Sequence, residues 1–465
     1  MEDPLKWMRV PEQLISKLGV ASALIESTHG LVRILSHYDG DGICSAGIIS
    51  KAVSRCGKRF HTTMASILRD KDLQELSGDF DLLIIADMGS SKADIISKKM
   101  IELEKRCIIL DHHNVEGRSS EYSVSDGGGI VEINPRFHRI DGTSGCSGST
   151  LSFLLAVTMD PANADLALFS LAGSLADRQH VPAFSELNSG ILGLAVERGD
   201  LSSKRGMPFS GRSIKEALLT SNDPFVDGIS GDEEAVMELL DNLDILPDER
   251  IETLDDEKRK VLQSYLYIKL LKNGVPKEMV HELFRDNFYS ERYGPLQDLA
   301  YTIDGCGRFD KPALGFQIVW GSTKAYEKAL EERFENKHRI QKLLLKRKEE
   351  GVCDMDHIQW FFIEEDALSG TIAGLAHNYI FDPEKPMIAL AEGDDGEIKV
   401  SSRGDRVLTS KGLDLGYAMR EAGKVAGGSG GGHDVAAGAN FLKDDQDLFL
   451  SEVDRIVGEQ LGGKK

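Results

Sequence analysis

The chain has 465 residues, of which 41% are hydrophobic and 28% are charged, and its net charge is −21. This length predicts two or three domains, and the composition excludes a disordered chain. The negative charge argues against a protein that coats nucleic acid non-specifically, but it is compatible with a narrow basic cleft or with aspartates that hold metal ions.

The sequence predicts a cytoplasmic protein that has no membrane partner. No apolar run approaches the roughly 18–20 residues of a membrane helix, and the charged N-terminus lacks the apolar core of a secretory signal. The six cysteines are scattered and form no CxxC pair, so no disulfide framework is expected.

Residues 1–195 alternate short apolar runs with helical patterns. This alternation predicts a largely parallel sheet with helices on both faces. The predicted strands are 31–36, 80–86, 107–110 and 130–133, and the predicted helices are 44–54, 92–104, 147–158 and 164–176.

The remainder of the chain divides into two further regions. Residues 196–345 predict a mainly helical insertion that includes an acidic stretch and ends in a long connecting helix. Residues 346–465 predict a smaller C-terminal α/β domain. There, residues 427–432 are predicted to form a glycine-rich turn, and His433 to open the following helix.

Aspartate or histidine follows three consecutive predicted strands and one apolar helix. Any of these residues alone has a common structural role, such as capping a helix. Together they predict a dinuclear metal site at the carboxyl edge of the sheet, because so many carboxylates cannot all stay ionised without cations between them. Mixed aspartate and histidine ligands suit Mn²⁺ better than Ca²⁺. The residues are Asp39, Asp41, Asp87, Asp111, His112, His113 and Asp177.

Four motifs in this order resemble those of the DHH superfamily of phosphoesterases. They are SHYDGDG at 36–42, IIADMGSS at 84–91, ILDHHN at 109–114 and SLAGSLAD at 170–177. VSSRG at 400–404 and GGSGGGH at 427–433 resemble the DHH-associated C-terminal domain, and residues 304–312 resemble the AxGR segment of RecJ-type proteins. The HxDxDG form and the acidic insertion are most similar to archaeal RecJ homologues, some of which associate with the GINS complex.

The resemblance implies two divalent metal ions, with Mn²⁺ preferred or Mg²⁺. A hydrogen bond to a metal ligand, without direct coordination, is the alternative role for His37, because its spacing to the aspartates varies in the superfamily. The resemblance assigns His37 and Asp39 to one ion, Asp41, His112 and Asp177 to the other, and Asp87 as a bridge between them.

The resemblance also implies roles beyond metal binding. Asp111 would orient His112, and His113 would face the scissile phosphate. Arg403 would contact a phosphate, as would Arg308 unless it forms a structural ion pair with Asp304 or Asp310. The other implied substrate-binding residues are Gly430, Gly431, Gly432 and His433.

These observations predict a 5′-directed single-strand exonuclease of DNA or RNA. The alternatives are an oligoribonuclease, a nucleotide phosphatase, and a replication-fork scaffold that binds GINS, since some RecJ relatives have lost catalysis. The low aromatic content, 7%, favours short strands over a long base-stacking channel.

Overall fold

In the computed structural model, the chain forms two compact units. Residues 1–205 and 286–333 form the first unit, and residues 206–285 and 334–465 form the second. Among the described residues, no helix combines the length and apolar character needed to cross a bilayer. The structure describes residues 4–462 apart from Ile67, Glu116, Gly117, Ser119, 123–128, Pro182, Gly206, Pro208, Arg285, Asp394 and Asp395.

Elements of the first 205 residues alternate between helix and strand. In chain order they are α1 (Pro4–Trp7), α2 (Glu12–Glu26), β1 (Leu31–His37), α3 (Gly40–Arg55), β2 (Arg59–Ala65), α4 (Asp70–Gln74), β3 (Leu82–Ala86), α5 (Ala93–Glu102), β4 (Arg106–Leu110), β5 (Gly129–Ile133), α6 (Gly148–Met159), α7 (Ala167–Ala176), α8 (Glu186–Glu197) and β6 (Ser202–Arg205).

A five-stranded parallel sheet forms the centre of the first unit, in the order β2-β1-β3-β4-β5. Alternate residues of the buried strands face opposite sides, as the pleat requires. Leu82 and Ile84 pack in the larger core, which includes residues of α3, α6 and α7, whereas Leu83 and Ile85 pack in a smaller core with residues of α5. Burial on both faces explains why these strands consist of continuous apolar runs.

In the described part of residues 206–319, four α-helices are followed by two short strands and two further α-helices. The elements are α9 (Ile214–Leu219), α10 (Glu233–Asn242), α11 (Asp256–Lys272), α12 (Lys277–Leu283), β7 (Asp286–Ser290), β8 (Gly294–Pro295), α13 (Leu296–Arg308) and α14 (Pro312–Val319). Strands β6, β7 and β8 form an antiparallel sheet in the first unit. The helical segment 206–285 therefore follows β6 and precedes β7, and these two strands pair with each other.

The long helix α15 (Thr323–Glu350) precedes the C-terminal α/β region. A six-stranded sheet there has the order β13-β14-β12-β11-β10-β9, in which only the β10–β11 pair is parallel. The elements are β9 (Cys353–Asp354), β10 (Gln359–Phe362), α16 (Asp366–Tyr379), β11 (Met387–Glu392), β12 (Glu397–Arg403), α17 (Arg406–Ser410), α18 (Leu415–Val425), β13 (Ser429–Gly432), β14 (Ala436–Leu442) and α19 (Gln446–Gly462).

The predicted fold class is confirmed: a parallel N-terminal sheet, a helical insertion and a C-terminal α/β region. Two local predictions were wrong. Residues 429–432 form strand β13, and His433 lies in the connection to β14, where its N–H donates to the Ala436 carbonyl at 2.9 Å, so it opens no helix. An added Cβ at Gly430 would lie 2.2 Å from the Met419 carbonyl oxygen, so glycine is needed there for β13 to pack against α18.

Candidate metal centre

The loop between β1 and α3 carries the first group of predicted ligands. Asp39 is the N-cap of α3, and its Oδ1 accepts the Gly42 N–H at 3.0 Å. Its Oδ2 lies 2.9 Å from His37 Nδ1. Asp41 lies in the first turn of α3 and is 2% exposed. Its carboxylate accepts the backbone N–H groups of Gly148 and Ser149, at the start of α6. The loop thus directs Asp39 and Asp41 towards different neighbours.

Asp87 follows β3 directly and lies between two groups of side chains. Its φ of 59° is in the left-handed region, which Asp tolerates better than most residues and which is common at functional sites. Asp87 Oδ2 lies 3.7 Å from His37 Nδ1, and Asp87 Oδ1 lies 3.2 Å from His112 Nε2. An added Cβ at Gly148 would lie 2.7 Å from Asp87 Cβ, so glycine is required at that position. The two carboxylate oxygens of Asp87 therefore face two different histidines.

The chain segment after β4 places its two histidines in different environments. His112 Nδ1 lies 2.6 Å from the Gly142 carbonyl oxygen, which leaves Nε2 facing Asp87. Asp111 contacts the other histidine: its Oδ1 lies 2.7 Å from His113 Nδ1 and accepts the His113 N–H at 3.1 Å. The prediction that Asp111 orients His112 was therefore wrong. The backbone carbonyl of Gly142 takes that role, and the Asp111 carboxylate turns towards His113 and the Ser90 N–H.

Asp177 closes the arrangement from the C-terminal end of α7, where it is the C-cap residue. Its Oδ2 lies 3.8 Å from His112 Nε2, and the Oδ2 of Asp41 lies at the same distance from that nitrogen. Among the residues that the structure describes, three groups of potential ligand atoms result, and the atoms of each group lie within 4.8 Å of one another. The groups are His37, Asp39 and Asp87; Asp41, His112 and Asp177; and Asp87, His112 and His113.

Three family models match the chain along most of its length. The N-terminal domain of the DHH family matches residues 31–171, the DHH-CID domain matches residues 210–284, and the DHHA1 domain matches residues 357–459. The chain belongs to the DHH superfamily. The catalytically active members of this superfamily are phosphoesterases.

Relatives of this DHH-superfamily protein match it over nearly its whole length. An uncharacterized protein of Methanocaldococcus jannaschii is 28% identical over 443 residues, which cover 93% of this chain and 94% of the relative. Two solved structures share the fold at lower identity. RecJ of Thermus thermophilus, in complex with Mn²⁺, has a TM-score of 0.59 at 15% identity and covers 95% of this chain. CDC45 of Entamoeba histolytica has a TM-score of 0.61 at 10% identity, covering 98% of this chain and 99% of its own. This chain spans 55% of the Thermus protein.

Electrostatics of the DHH site fit a divalent cation. Burial raises the pKa of Asp87 well above its usual range, and the nearby carboxylates of Asp41 and Asp39 raise it further. Burial also raises the pKa of Asp177 to about 6, although the nearby His112 opposes that rise. Without a cation, the site therefore retains protons that its carboxylates would lose in water. Because the groups offer carboxylate oxygens and imidazole nitrogens, they suit a hard or borderline ion such as Mg²⁺ or Mn²⁺.

Nearby carboxylates raise the pKa of each of the two histidines that face Asp87, and so favour its protonated form. Burial opposes protonation of His112, but the charges of Asp177 and Asp41 outweigh that effect and raise its pKa. Burial opposes protonation of His37 as well, and its hydrogen bond with Asp39 outweighs that effect, so the pKa of His37 is also raised. The same contact lowers the pKa of Asp39 to about 2, against the effect of burial. A bound cation would have to displace these protons.

We expect Mn²⁺ to stabilise the fold more strongly as pH rises from about 5 to 8. The raised pKa values of Asp87, Asp177, His37 and His112 stabilise the metal-free protein at low pH, and this stabilisation is lost as pH rises through the folded-state pKa values. The lowered pKa of Asp39 has the opposite effect, because it stabilises the fold at higher pH. This stabilisation is already fully present above pH 5, so it does not change between pH 5 and 8. Each proton that the cation displaces adds about 1.4 kcal/mol of metal-linked stability per pH unit.

Thermal unfolding in EDTA and in Mn²⁺ at several pH values measures this linkage. The difference in Tm between the two conditions should widen with pH in the wild type and widen less in Asp177→Asn. A difference that is constant from pH 5 to 8 would contradict the proton displacement.

Asp111→Asn tests the contact between Asp111 and His113. The carboxylate now accepts hydrogen bonds from the N–H groups of His113 and Ser90, and the amide that replaces it would place an N–H donor beside one of them. We expect phosphoester hydrolysis to fall roughly 10–100-fold, the usual cost of losing such an orienting partner. Mn²⁺ affinity should change little, because Asp111 belongs to none of the three ligand groups. Hydrolysis rates and Mn²⁺ titrations of the same preparation separate these effects, and a wild-type rate would show that the contact is dispensable.

The predicted substrate-binding residues lie in both units. Arg308, at the end of α13, donates through Nε to Asp304 Oδ2 at 2.5 Å, so the structural ion pair is present, although 53% of its side chain remains exposed. Asp304 Oδ1 in turn accepts the Gly40 N–H at 3.0 Å, next to the metal loop. Arg403, at the end of β12, donates through Nη1 to the Ser402 carbonyl at 2.8 Å.

Sequence reasoning missed a set of buried polar residues behind the ligands. Gln179 lies two residues after Asp177, and its Nε2 donates to Asp177 Oδ2 at 2.9 Å. Ser147 donates to Asp41 Oδ1 at 2.8 Å. The run Ser147-Gly-Ser-Thr150 at the start of the otherwise apolar helix α6 is the signal that could have indicated these contacts.

Proposed function

We propose that this protein is a two-metal phosphodiesterase that hydrolyses single-stranded nucleic acid from the 5′ end. The observation that carries the proposal is the position of Asp87, whose two oxygens face His37 on one side and His112 on the other. A carboxylate in that position can contribute one oxygen to each of two cations. The likeness of the fold to RecJ crystallised with Mn²⁺ supports the same choice of cation.

The ligand groups define which residues would hold the cations, with Mn²⁺ preferred or Mg²⁺. His37 and Asp39 would hold one, and Asp41, His112 and Asp177 the other. The bound cations would activate a water molecule and stabilise the charge on the leaving oxygen.

His113 would contact the substrate phosphate in this proposal. Its side chain is 43% exposed, and its Nδ1 is engaged by Asp111, so Nε2 is the ring nitrogen available to a phosphoester oxygen. Asp111 therefore fixes the orientation of the His113 ring before the substrate binds. Burial favours the neutral form of Asp111, but the hydrogen bond with His113 and the other nearby donors outweigh it and hold the pKa of Asp111 well below its usual range, so the carboxylate stays ionised in that role.

End-labelled single strands test the activity and distinguish it from its alternatives. Purified protein with Mn²⁺ should release mononucleotides from 5′-labelled single-stranded DNA or RNA. DNA and RNA of several lengths, together with nucleotide monoesters, separate an exonuclease from an oligoribonuclease and from a nucleotide phosphatase. Hydrolysis of monoesters without cleavage of strands would contradict the proposal.

Arg403→Ala tests the proposed contact with phosphate in the C-terminal region. We expect affinity for single-stranded nucleic acid to fall by roughly 1–3 kcal/mol, the cost of a lost hydrogen bond to a charged group. The salt dependence of binding should fall by about one phosphate contact. Mn²⁺ affinity should not change. Binding titrations at three salt concentrations measure these effects, and wild-type affinity with wild-type salt dependence would remove Arg403 from the proposed site.

A docking role is the second candidate function, and the likeness of the whole chain to the CDC45 fold favours it. The GINS complex is the partner that the sequence resemblance implies. Association with purified GINS that is unchanged by Asp87→Ala, in a protein that hydrolyses no strand, would favour docking over catalysis.

A further inference from the structure

Five fully buried polar side chains form a connected hydrogen-bond network behind one part of the metal centre. They contribute two amides and three hydroxyls, and we call them the amide–hydroxyl network. Buried polar groups are costly unless they are paired, so a connected set of this size is held in one arrangement. Its members are Ser147, Thr150, Ser174, Gln179 and Asn188, each 0% exposed.

Gln179 links two of the predicted ligands through a single amide nitrogen. Its Nε2 donates to Asp177 Oδ2 at 2.9 Å and to the Gly142 carbonyl oxygen at 3.0 Å. That carbonyl oxygen also lies 2.6 Å from His112 Nδ1. Gln179 Nε2 also lies 3.5 Å from His112 Nδ1. The position of Gln179 therefore affects the Asp177 carboxylate directly, and it affects the His112 ring both directly and through Gly142.

Asn188 fixes the orientation of the Gln179 amide. Asn188 Nδ2 donates to Gln179 Oε1 at 2.8 Å, so the oxygen end of Gln179 faces a donor, whereas its nitrogen end faces the acceptor oxygens of Asp177, Gly142 and Cys146. A reversed amide would place an oxygen against the Asp177 carboxylate. Asn188 Oδ1 accepts a hydrogen bond from Thr150 Oγ1 at 2.5 Å and lies 3.2 Å from Ser174 Oγ. The single hydroxyl hydrogen of Ser174 can instead be donated to Ser147 Oγ, at 3.0 Å.

The network ends on a third predicted ligand. Ser147 Oγ lies 3.3 Å from Thr150 Oγ1 and 3.0 Å from Ser174 Oγ, and it donates to Asp41 Oδ1 at 2.8 Å. An added Cβ at Gly173 would lie 2.7 Å from the same Asp41 oxygen, so glycine there leaves room for the carboxylate. All three members of the group Asp41, His112 and Asp177 are thus held by one set of contacts.

The group on the other side of Asp87 has different support. His37 and Asp39 contact each other at 2.9 Å, and Asp39 accepts the Gly42 N–H. None of the hydrogen bonds described for these two side chains joins them to the amide–hydroxyl network. Their side chains are 26% and 28% exposed, whereas in the other group Asp41 is 2%, His112 7% and Asp177 34% exposed. The amide–hydroxyl network therefore supports one of the two ligand groups.

We propose that Gln179 and Asn188 are positioning residues that set the affinity for the cation held by Asp41, His112 and Asp177. They leave the affinity for the cation held by His37 and Asp39 unchanged. The proposal rests on the two-metal function above and adds residues that neither bind a cation nor contact substrate. It differs from a purely structural role because it predicts an effect on one cation and not on the other.

Mn²⁺ titration of the metal-free full-length protein tests the proposal, with free Mn²⁺ followed by electron paramagnetic resonance. The wild type should bind two Mn²⁺ ions per chain. Gln179→Met keeps the side-chain volume but removes both ends of the amide, and it should weaken one binding step roughly 10–100-fold, the usual effect of losing an orienting partner. The other binding step should stay within about twofold.

Two further variants complete the design. Asn188→Leu should weaken the same binding step, and it decides the outcome if Gln179→Met does not fold by circular dichroism. Asn163→Leu is the matched control, because Asn163 is another fully buried amide that bonds to the Ala156 carbonyl and to Arg55, outside the network. It should lower thermal stability without changing either binding step.

The outcomes distinguish this proposal from the proposed function. A wild type that does not bind two Mn²⁺ ions overturns the two-metal function itself. A wild type that binds two, with both steps unchanged or both weakened equally in Gln179→Met and Asn188→Leu, overturns the positioning role and leaves the two-metal function intact.

Discussion

Hydrolysis of single-stranded nucleic acid is expected to stop completely when a chelator removes the divalent cations, and to return when Mn²⁺ is added. The physical reason lies in the site itself. Asp87 and Asp177 have raised pKa values in the metal-free protein, and their ionised forms depend on a nearby positive charge. Without cations, the site has neither the charge to stabilise a leaving oxygen nor an activated water.

Dialysis against EDTA, followed by stepwise return of metal, measures this dependence. Mn²⁺ should restore the full rate and Mg²⁺ a lower one, and the fold should persist throughout by circular dichroism. Unreduced hydrolysis in excess EDTA would eliminate the two-metal mechanism, whatever the nature of the substrate.

Replacing Asp87 should have the second large effect. Asp87→Ala removes the carboxylate that faces both ligand groups, so hydrolysis should fall by a factor of roughly a thousand or more, beyond the 10–100-fold typical of an orienting residue. The metal-free variant should keep its fold or gain stability, because it no longer contains a buried carboxyl group whose ionised form is disfavoured by burial and repelled by Asp41 and Asp39.

Two companion variants separate backbone effects from loss of the ligand. Asp87→Asn keeps a residue that tolerates the left-handed backbone, and it should lose nearly as much activity as Asp87→Ala. Asp310→Ala is the matched control, since Asp310 also has a left-handed φ, 59°, and lies outside the ligand groups. If Asp87→Ala kept a near-wild-type rate, the site would have been assigned to the wrong residues.

The N-terminal fold was predictable because burial on both faces leaves an unambiguous apolar pattern. Strand β3 and residues 107–110 of β4 are continuous apolar runs, and they are followed directly by Asp87 and Asp111. Strand β2 was not predicted, since an edge strand that is only half buried keeps polar residues such as Arg59, His61 and Thr63. Strand β13 was missed for a different reason: its glycines serve close packing against α18, and glycine runs more often indicate turns.

The candidate site was predictable to the level of residue type and strand end. The topology brings Asp39, Asp87 and His112 together because the carboxyl ends of parallel strands share one edge. The hydrogen-bond partners of each side chain were not predictable. His112 Nδ1 contacts the backbone carbonyl of Gly142, thirty residues later in the sequence, and Asp111 contacts His113 instead. The residues around Asp111 give no indication of that distant carbonyl.

The pairing of β6 with β7 has a consequence for the evolution of the chain. Arg205 and Asp286 are register partners, so the segment between them begins and ends at adjacent points of one ladder. A short turn could join those two strands without altering their register. A lineage could therefore gain, lose or exchange the whole helical segment by a single genetic event and leave the strands that carry the aspartates in place.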